Sequence, residues 1–222
     1  MRFLYFLSIL LITASCGPEP SNTEETASSV PEFQEITTSR FTVKNGDLDS
    51  LNAAGFIVEY YNADGEQTKS AYLTSDRQVM MQFVNHWENG LKVRVDWVNA
   101  EDTLTQYVQN EYNDQAQLIK SVTYSTDGVL QYGFESEWEE DGQLEKKGPL
   151  EEGVPFKPNA FYRYDEQQNP IELREFDAQD SLYAVVRWKY TQKDENGQWL
   201  ERQMITNDTI NRVERREIIY RN

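Results

Sequence analysis

The chain has 222 residues, with 21 Lys+Arg against 38 Asp+Glu, a formal net charge of −17, one His and one Cys. A single cysteine excludes an internal disulfide or a thiolate zinc cluster, and a single histidine excludes a multi-histidine metal centre, so no cofactor is expected. So acidic a surface repels phosphate backbones and argues against nucleic acid as a partner.

Residues 1–15 carry one positive charge, Arg2, an apolar run from Phe3 to Ile12, and the small residues Ala14 and Ser15, directly before Cys16. The run is too short for a permanent transmembrane helix and has the layout of a cleaved export signal. Ending on the only cysteine, it resembles a bacterial lipoprotein signal peptide, with Thr13 where Leu is usual. Relaxed boxes of this kind are similar to those of Bacteroidetes lipoproteins. The resemblance implies that Cys16 is acylated and becomes the mature N-terminus, a membrane anchor that several acyl chains are sufficient to hold. Gly17 after the cysteine resembles lipoproteins sent on to the outer membrane, with the periplasmic or surface face left open. Residues 16–37 then form the lipidated cysteine and a tether rich in Pro, Glu, Ser and Thr, too poor in bulky apolar groups to fold.

From residue 38 to 222 the reading is a β-repeat domain. An apolar residue is followed eight positions later by Trp or Tyr at Val79/Trp87, Leu104/Tyr112, Leu130/Trp138, Phe156/Tyr164 and Leu182/Tyr190, and in degraded form at Ile210/Ile218. Strand side chains alternate with period two, so an even spacing aims both members at one face. Leu91, Val93, Val95 and Trp97 repeat the alternation against Lys92, Arg94 and Asp96. Turn-forming clusters separate the strands. Each unit of about 26 residues reads as one hairpin, and the chain as an all-β antiparallel meander of about 12–14 strands, twisted or partly curled as a single sheet. Its last strand, Ile210–Tyr220, is expected to be an exposed edge, either guarded by basic residues or offered as a docking edge. Asn85, Gln106, Asn110 and Ser136 within the apolar columns argue against a lipid-facing transmembrane barrel.

The Tyr162-Arg163-Tyr164-Asp165 and Trp188-Lys189-Tyr190 segments look like the YD-type repeats of extracellular bacterial proteins, over about residues 55–222. The chain thereby resembles outer-membrane lipoproteins of the Bacteroidetes with YD-like hairpin repeats.

No catalytic constellation emerges. His86 is a lone imidazole beside Trp87, and the carboxylate clusters lack the ligand spacing of a dedicated calcium loop. Trp199, off the aromatic pattern and two residues after Gly197, is the recognition aromatic singled out. Asp followed by Ser or Thr and an aliphatic occurs at Asp49-Ser50-Leu51, Asp102-Thr103-Leu104, Asp180-Ser181-Leu182 and Asp208-Thr209-Ile210. The triplet resembles the O-glycosylation signal of secreted Bacteroidetes proteins, which would make Ser50, Thr103, Ser181 and Thr209 acceptors. The expected role is that of a non-enzymatic envelope lipoprotein, a scaffold or a binding surface for protein or glycan. The alternative is a carrier of an apolar ligand or lipid in a curled sheet, similar in outline to the half-barrel lipoprotein carriers of the periplasm.

Overall fold

The structure is a computed structural model that describes residues 33–44, 47–48, 53–140, 142–151 and 153–221. The expected signal peptide, Cys16 and Ser50 lie outside these residues. Fifteen strands follow in chain order: β1 (Phe33–Lys44), β2 (Asp47–Leu48), β3 (Gly55–Tyr61), β4 (Gln67–Leu73), β5 (Val79–Glu88), β6 (Leu91–Asn99), β7 (Leu104–Tyr112), β8 (Leu118–Ser125), β9 (Leu130–Trp138), β10 (Leu144–Pro149), β11 (Ala160–Tyr164), β12 (Pro170–Phe176), β13 (Leu182–Lys193), β14 (Trp199–Thr206) and β15 (Thr209–Tyr220). No helix occurs among the described residues.

Each strand pairs antiparallel with its sequence neighbour, except that β2 pairs only with the end of β1. The last strand returns to the first, from Phe33↔Tyr220 to Thr42↔Arg212. Fourteen strands therefore close into a barrel, where the sequence predicted an open, partly curled sheet. Two segments account for the difference. Residues 33–37 fall in the segment expected to be a tether, yet they open β1, and Ile36 is fully buried. The edge expected at Ile210–Tyr220 is covered by that same strand. Closure removes both exposed ladders, which is how a long antiparallel sheet avoids unpaired backbone groups.

The turns are built from one local device. In eight hairpins the first turn residue is Asn62, Thr74, Asn99, Asn113, Ser125, Asp165, Asp177 or Asp194, and its N–H donates to the carbonyl four residues on. Its own side-chain oxygen accepts the N–H of that same fifth residue, as in Glu66 to Asn62 and Asn169 to Asp165. The fourth residue takes a positive φ: Gly65, Arg77, Asp102, Ala116, Gly128, Gln168, Asp180 and Gly197. Asn, Asp, Ser and Thr suit the first position because their short acceptors reach the backbone, and the left-handed fourth position favours Gly and tolerates Asp. Arg77, Ala116 and Gln168, at φ 63°, 58° and 60°, are the misfits. Replacing Ala116 with Gly is expected to stabilise the barrel by about 1 kcal/mol, since an L side chain costs roughly that in the left-handed region. A thermal melt unchanged or lowered in A116G would refute this.

One-residue register shifts recur near both ends of the hairpins, for example between Tyr72/Leu73, Trp97/Val98, Glu111/Tyr112 and Arg163/Tyr164. A single inserted residue moves everything beyond it to the other face. Val79, Leu104, Leu130, Leu182 and Ile210 consequently pair with Leu73, Val98, Tyr124, Phe176 and Ile205 on the outward face. The even spacing of eight therefore does not place these residues on the face of their aromatic partners. Phe156 belongs to no strand. It lies in the β10–β11 connection, which passes so close to the sheet that a Cβ on Gly148 would sit 2.4 Å from the Lys157 carbonyl oxygen.

Candidate ligand-binding lumen

The inward face follows from register and burial. Ile36, Thr38 and Arg40 align with Ile218, Arg216 and Glu214 of β15, and Ile36 and Thr38 with Glu59 and Ile57 of β3. On this face the Glu214 side chain is 6% exposed and that of Arg216 13%. On the opposite face the Arg174 and Arg187 side chains are 53% and 48% exposed. Followed round the ladder, the inward set includes Phe83, Trp97, Val108, Thr123, Ser136, Glu145, Tyr162, Leu173, Val186 and Met204.

At the end where Phe33 meets Tyr220, the interior is packed. Ile36 and Tyr61 form a core with Ile218 and Tyr220 against them. An aromatic from each successive hairpin closes over this end and bonds to the strand before it. Trp87 Nε1 donates to the Gln67 carbonyl (2.9 Å), Tyr112 Oη to Lys92 (2.9 Å), Trp138 Nε1 to Leu118 (2.8 Å) and Tyr190 Oη to Pro170 (2.8 Å), each twenty residues upstream. Tyr164 departs from this and donates to Glu145 Oε2 at 2.7 Å. Three of the four polar residues that interrupt the apolar columns are also satisfied here. Asn85 and Asn110 donate to the Gln67 and Lys92 carbonyls, and Ser136 to Glu145.

The opposite end is different. Tyr132 and Phe134 point inward yet are 42% and 39% exposed, and the rings of Tyr72, Phe83 and Trp97 form an edge-to-face series at 5.2 and 5.3 Å. Val79, Met80, Val129, Leu130, Leu182 and Tyr183, all at or just before the starts of strands on this rim, are exposed as well. An eight-stranded barrel is just filled by its own side chains, whereas a fourteen-stranded one leaves a lumen. Ile36 alone, among the described large side chains, is below 2% exposed.

Trp199 is not a surface aromatic. It is 4% exposed, with the Arg216 guanidinium 3.7 Å and the Arg202 guanidinium 4.4 Å from its ring centroid. Lys92, expected on the face opposite Val93, is turned inward by the register shift at Trp87 and lies over the Trp87 ring at 5.8 Å. His86 is outward, its Nε2 2.8 Å from Asp96 Oδ2, while Arg94 Nε holds Oδ1 at 2.7 Å. Thr103, Ser181 and Thr209 are exposed on turns of the open rim, and the preceding Asp102, Asp180 and Asp208 have φ of 56°, 61° and 64°, so the turn conformation accounts for each Asp. A shallow cleft of ≈ 370 Å³ over Lys120 and Phe156 is on the outer face, where Lys120 is paired to Glu111 at 3.1 Å. Among the described residues no group of three His, Cys, Asp or Glu is placed to hold a metal.

The outward face carries ion pairs whose carboxylates are tuned. At Asp96 burial opposes the charge, but bonds from Arg94 and His86 outweigh it and hold the carboxyl below the usual range. Glu172 behaves alike: burial opposes, and Arg187 and Arg174 prevail. Carboxylates with folded pKa values below their unfolded ones give stability that is complete above the unfolded pKa and is lost as pH falls through the folded value. The melting temperature is therefore expected to hold from neutrality down to about pH 5 and to fall steeply below about pH 4. Arg187→Gln should flatten that fall; an acid limb identical to that of the parent protein would count against the Glu172 pairing.

No protein-family model matches the chain. No curated protein matches it. Solved structures do: a porin-like protein from Bacteroides uniformis, at 10% identity and TM-score 0.49, covers 84% of this chain and 98% of its own. A protein described as an outer membrane lipoprotein-sorting protein domain from Vibrio parahaemolyticus, at 9% identity and TM-score 0.38, covers 85% and 86%. A DUF1329 family protein from Desulfovibrio piger, at 8% identity and TM-score 0.33, also covers 85% and 86%. At these identities and scores the likeness carries nothing about ligand or activity.

Proposed function

We propose that the protein is a lipid-anchored envelope protein that carries an amphipathic ligand inside its barrel. The observation that supports this most is the pair Tyr132 and Phe134, aimed into a closed barrel and still 42% and 39% exposed. Large apolar groups left open inside a wall mark a place for something else to bind. The packed aromatic end and the apolar opposite rim give such a site one floor and one mouth. The export signal ending at Cys16 supports an envelope address, outer membrane rather than inner by Gly17. Spanning the bilayer with this barrel fits poorly, because outward positions at mid-height are charged, among them Arg94, Asp96, Lys120, Glu135, Glu172 and Arg187, and such groups are costly in hydrocarbon. No catalytic step is assigned.

Solvent extraction of protein purified from its native membrane should yield an acyl-chain compound at near-stoichiometric amount. The purified protein should also raise the fluorescence of an apolar probe such as N-phenylnaphthylamine, and Tyr132→Asp with Phe134→Asp should abolish the rise. An empty extract together with no probe uptake would overturn the reading. A scaffold role has one feature in its favour, the exposed rim with Tyr183 at 74%. Crosslinking from position 183 to an envelope protein, unaffected by the Tyr132/Phe134 pair, would favour that role instead.

A further inference from the structure

The inner wall of this acidic protein carries a basic strip. Along β15, Arg212, Glu214 and Arg216 occupy alternate inward positions, flanked by Arg202 of β14 and Arg40 of β1. Glu59 of β3 and Lys92 of β6 complete the group. Glu214 alone serves three arginines: Arg202 at 2.6 Å, Arg40 at 3.4 Å and Arg212 at 3.8 Å. Among the described residues Arg216 forms its ion pair with Glu59, at 3.7 Å, with its other face on Trp199. Among the described residues, five cations of this strip thus share two carboxylates.

The shortfall of acceptors is visible at individual atoms. The Nε atoms of Arg40 and Arg216 are buried and donate no hydrogen bond; at Arg40 the 3.4 Å approach to Glu214 lacks the angle for one. Burial lowers the pKa of Lys92 and of Arg216, with Glu59 acting in the other direction. Buried cations in excess of their anions are costly unless a counter-charge arrives. Elsewhere on the wall Glu145, Glu175 and Lys147 show no such surplus.

We infer that the strip centred on Arg40 and Arg216 is a subsite for the anionic headgroup, carboxylate or phosphate, of the amphiphile whose chain lies along the aromatic lumen. This deepens the carrier reading and rests on it. Guanidinium forks bind both oxyanions with directed, charge-assisted bonds, and Tyr72, with Arg40 over its ring at 5.2 Å, continues the wall toward Phe83.

The test is titration calorimetry on the full chain with oleate, oleoyl lysophosphatidate, uncharged monoolein and inorganic phosphate. Both anionic amphiphiles are expected to bind about tenfold or more tightly than monoolein, and inorganic phosphate alone far more weakly. The double variant Arg40→Gln with Arg216→Gln should lose the preference and keep monoolein binding; Arg216→Lys should recover part of it. The comparison of ligands on the unaltered protein needs no variant and stands even if the double variant fails to fold. Equal binding of oleate and monoolein overturns the headgroup subsite and leaves the carrier reading intact. Phosphate binding as tightly as the amphiphiles overturns the headgroup in favour of a free-anion site. No binding of any amphiphile overturns the carrier reading itself.

Discussion

Glu214→Ala is expected to lower the stability of the barrel by about 2–4 kcal/mol, because it strips the shared counter-charge from part-buried arginines whose side chains are 21%, 30% and 41% exposed. Its side chain is 6% exposed and contacts Arg202, Arg40 and Arg212. Removing one partner of a buried ion pair is worse than never having had it, since the survivors keep their desolvation cost with nothing to offset it. For a domain of this size the melting temperature should fall by on the order of 10 °C. Glu214→Gln keeps the shape and one acceptor, so it should lose less but still destabilise. A change below about 1 kcal/mol for the alanine variant would show that water enters the lumen and solvates the strip.

Ile36→Ala is the second large effect, with an expected loss of about 2–5 kcal/mol from lost burial and the cavity left behind. Ile36 is 0% exposed and packs with Tyr61, Ile218 and Tyr220 where the first and last strands meet. Its loss falls on the seam, so hydrogen exchange should rise first in β1 and β15. Ile219 is the control. It lies one position from Ile218 on the outward face at 46% exposure, so its truncation should cost under about 0.5 kcal/mol. Equal losses in both variants would mean that the inward and outward faces have been misassigned.

The all-β class, the hairpin order and the antiparallel pairing were legible in the sequence, because period-two alternation and turn residues are local signals. The inward aim of Trp87, Tyr112, Trp138, Tyr164 and Tyr190 was legible for the same reason. The paired apolar starts were misassigned, since each lies beyond a register shift and a shift has no residue-type signature of its own. Closure was missed for a different reason. FQEIT at 33–37 alternates, but its composition resembles the tether before it, and only contact with Ile218 and Tyr220 separates the two. The lumen strip was also missed. Its signal is present in Arg212, Glu214 and Arg216 at alternate positions, a pattern that equally suits the charge guard of an exposed edge. Trp199, singled out as a recognition aromatic, is buried, and its surroundings are two guanidinium groups rather than solvent.

A ring of strands has no intrinsic first member. Phe33 and Tyr220 are register partners, so a short linker could join them and new ends could be cut elsewhere, for instance at the exposed Asn89–Gly90 turn. Such a circular permutant would keep every ladder, and the order of synthesis would then be separable from the architecture it produces. Strand-exchanged dimers face the opposite situation. With β1 already seated against β15, another copy can enter only by displacing it, which protects a sheet-rich protein from growing into fibres.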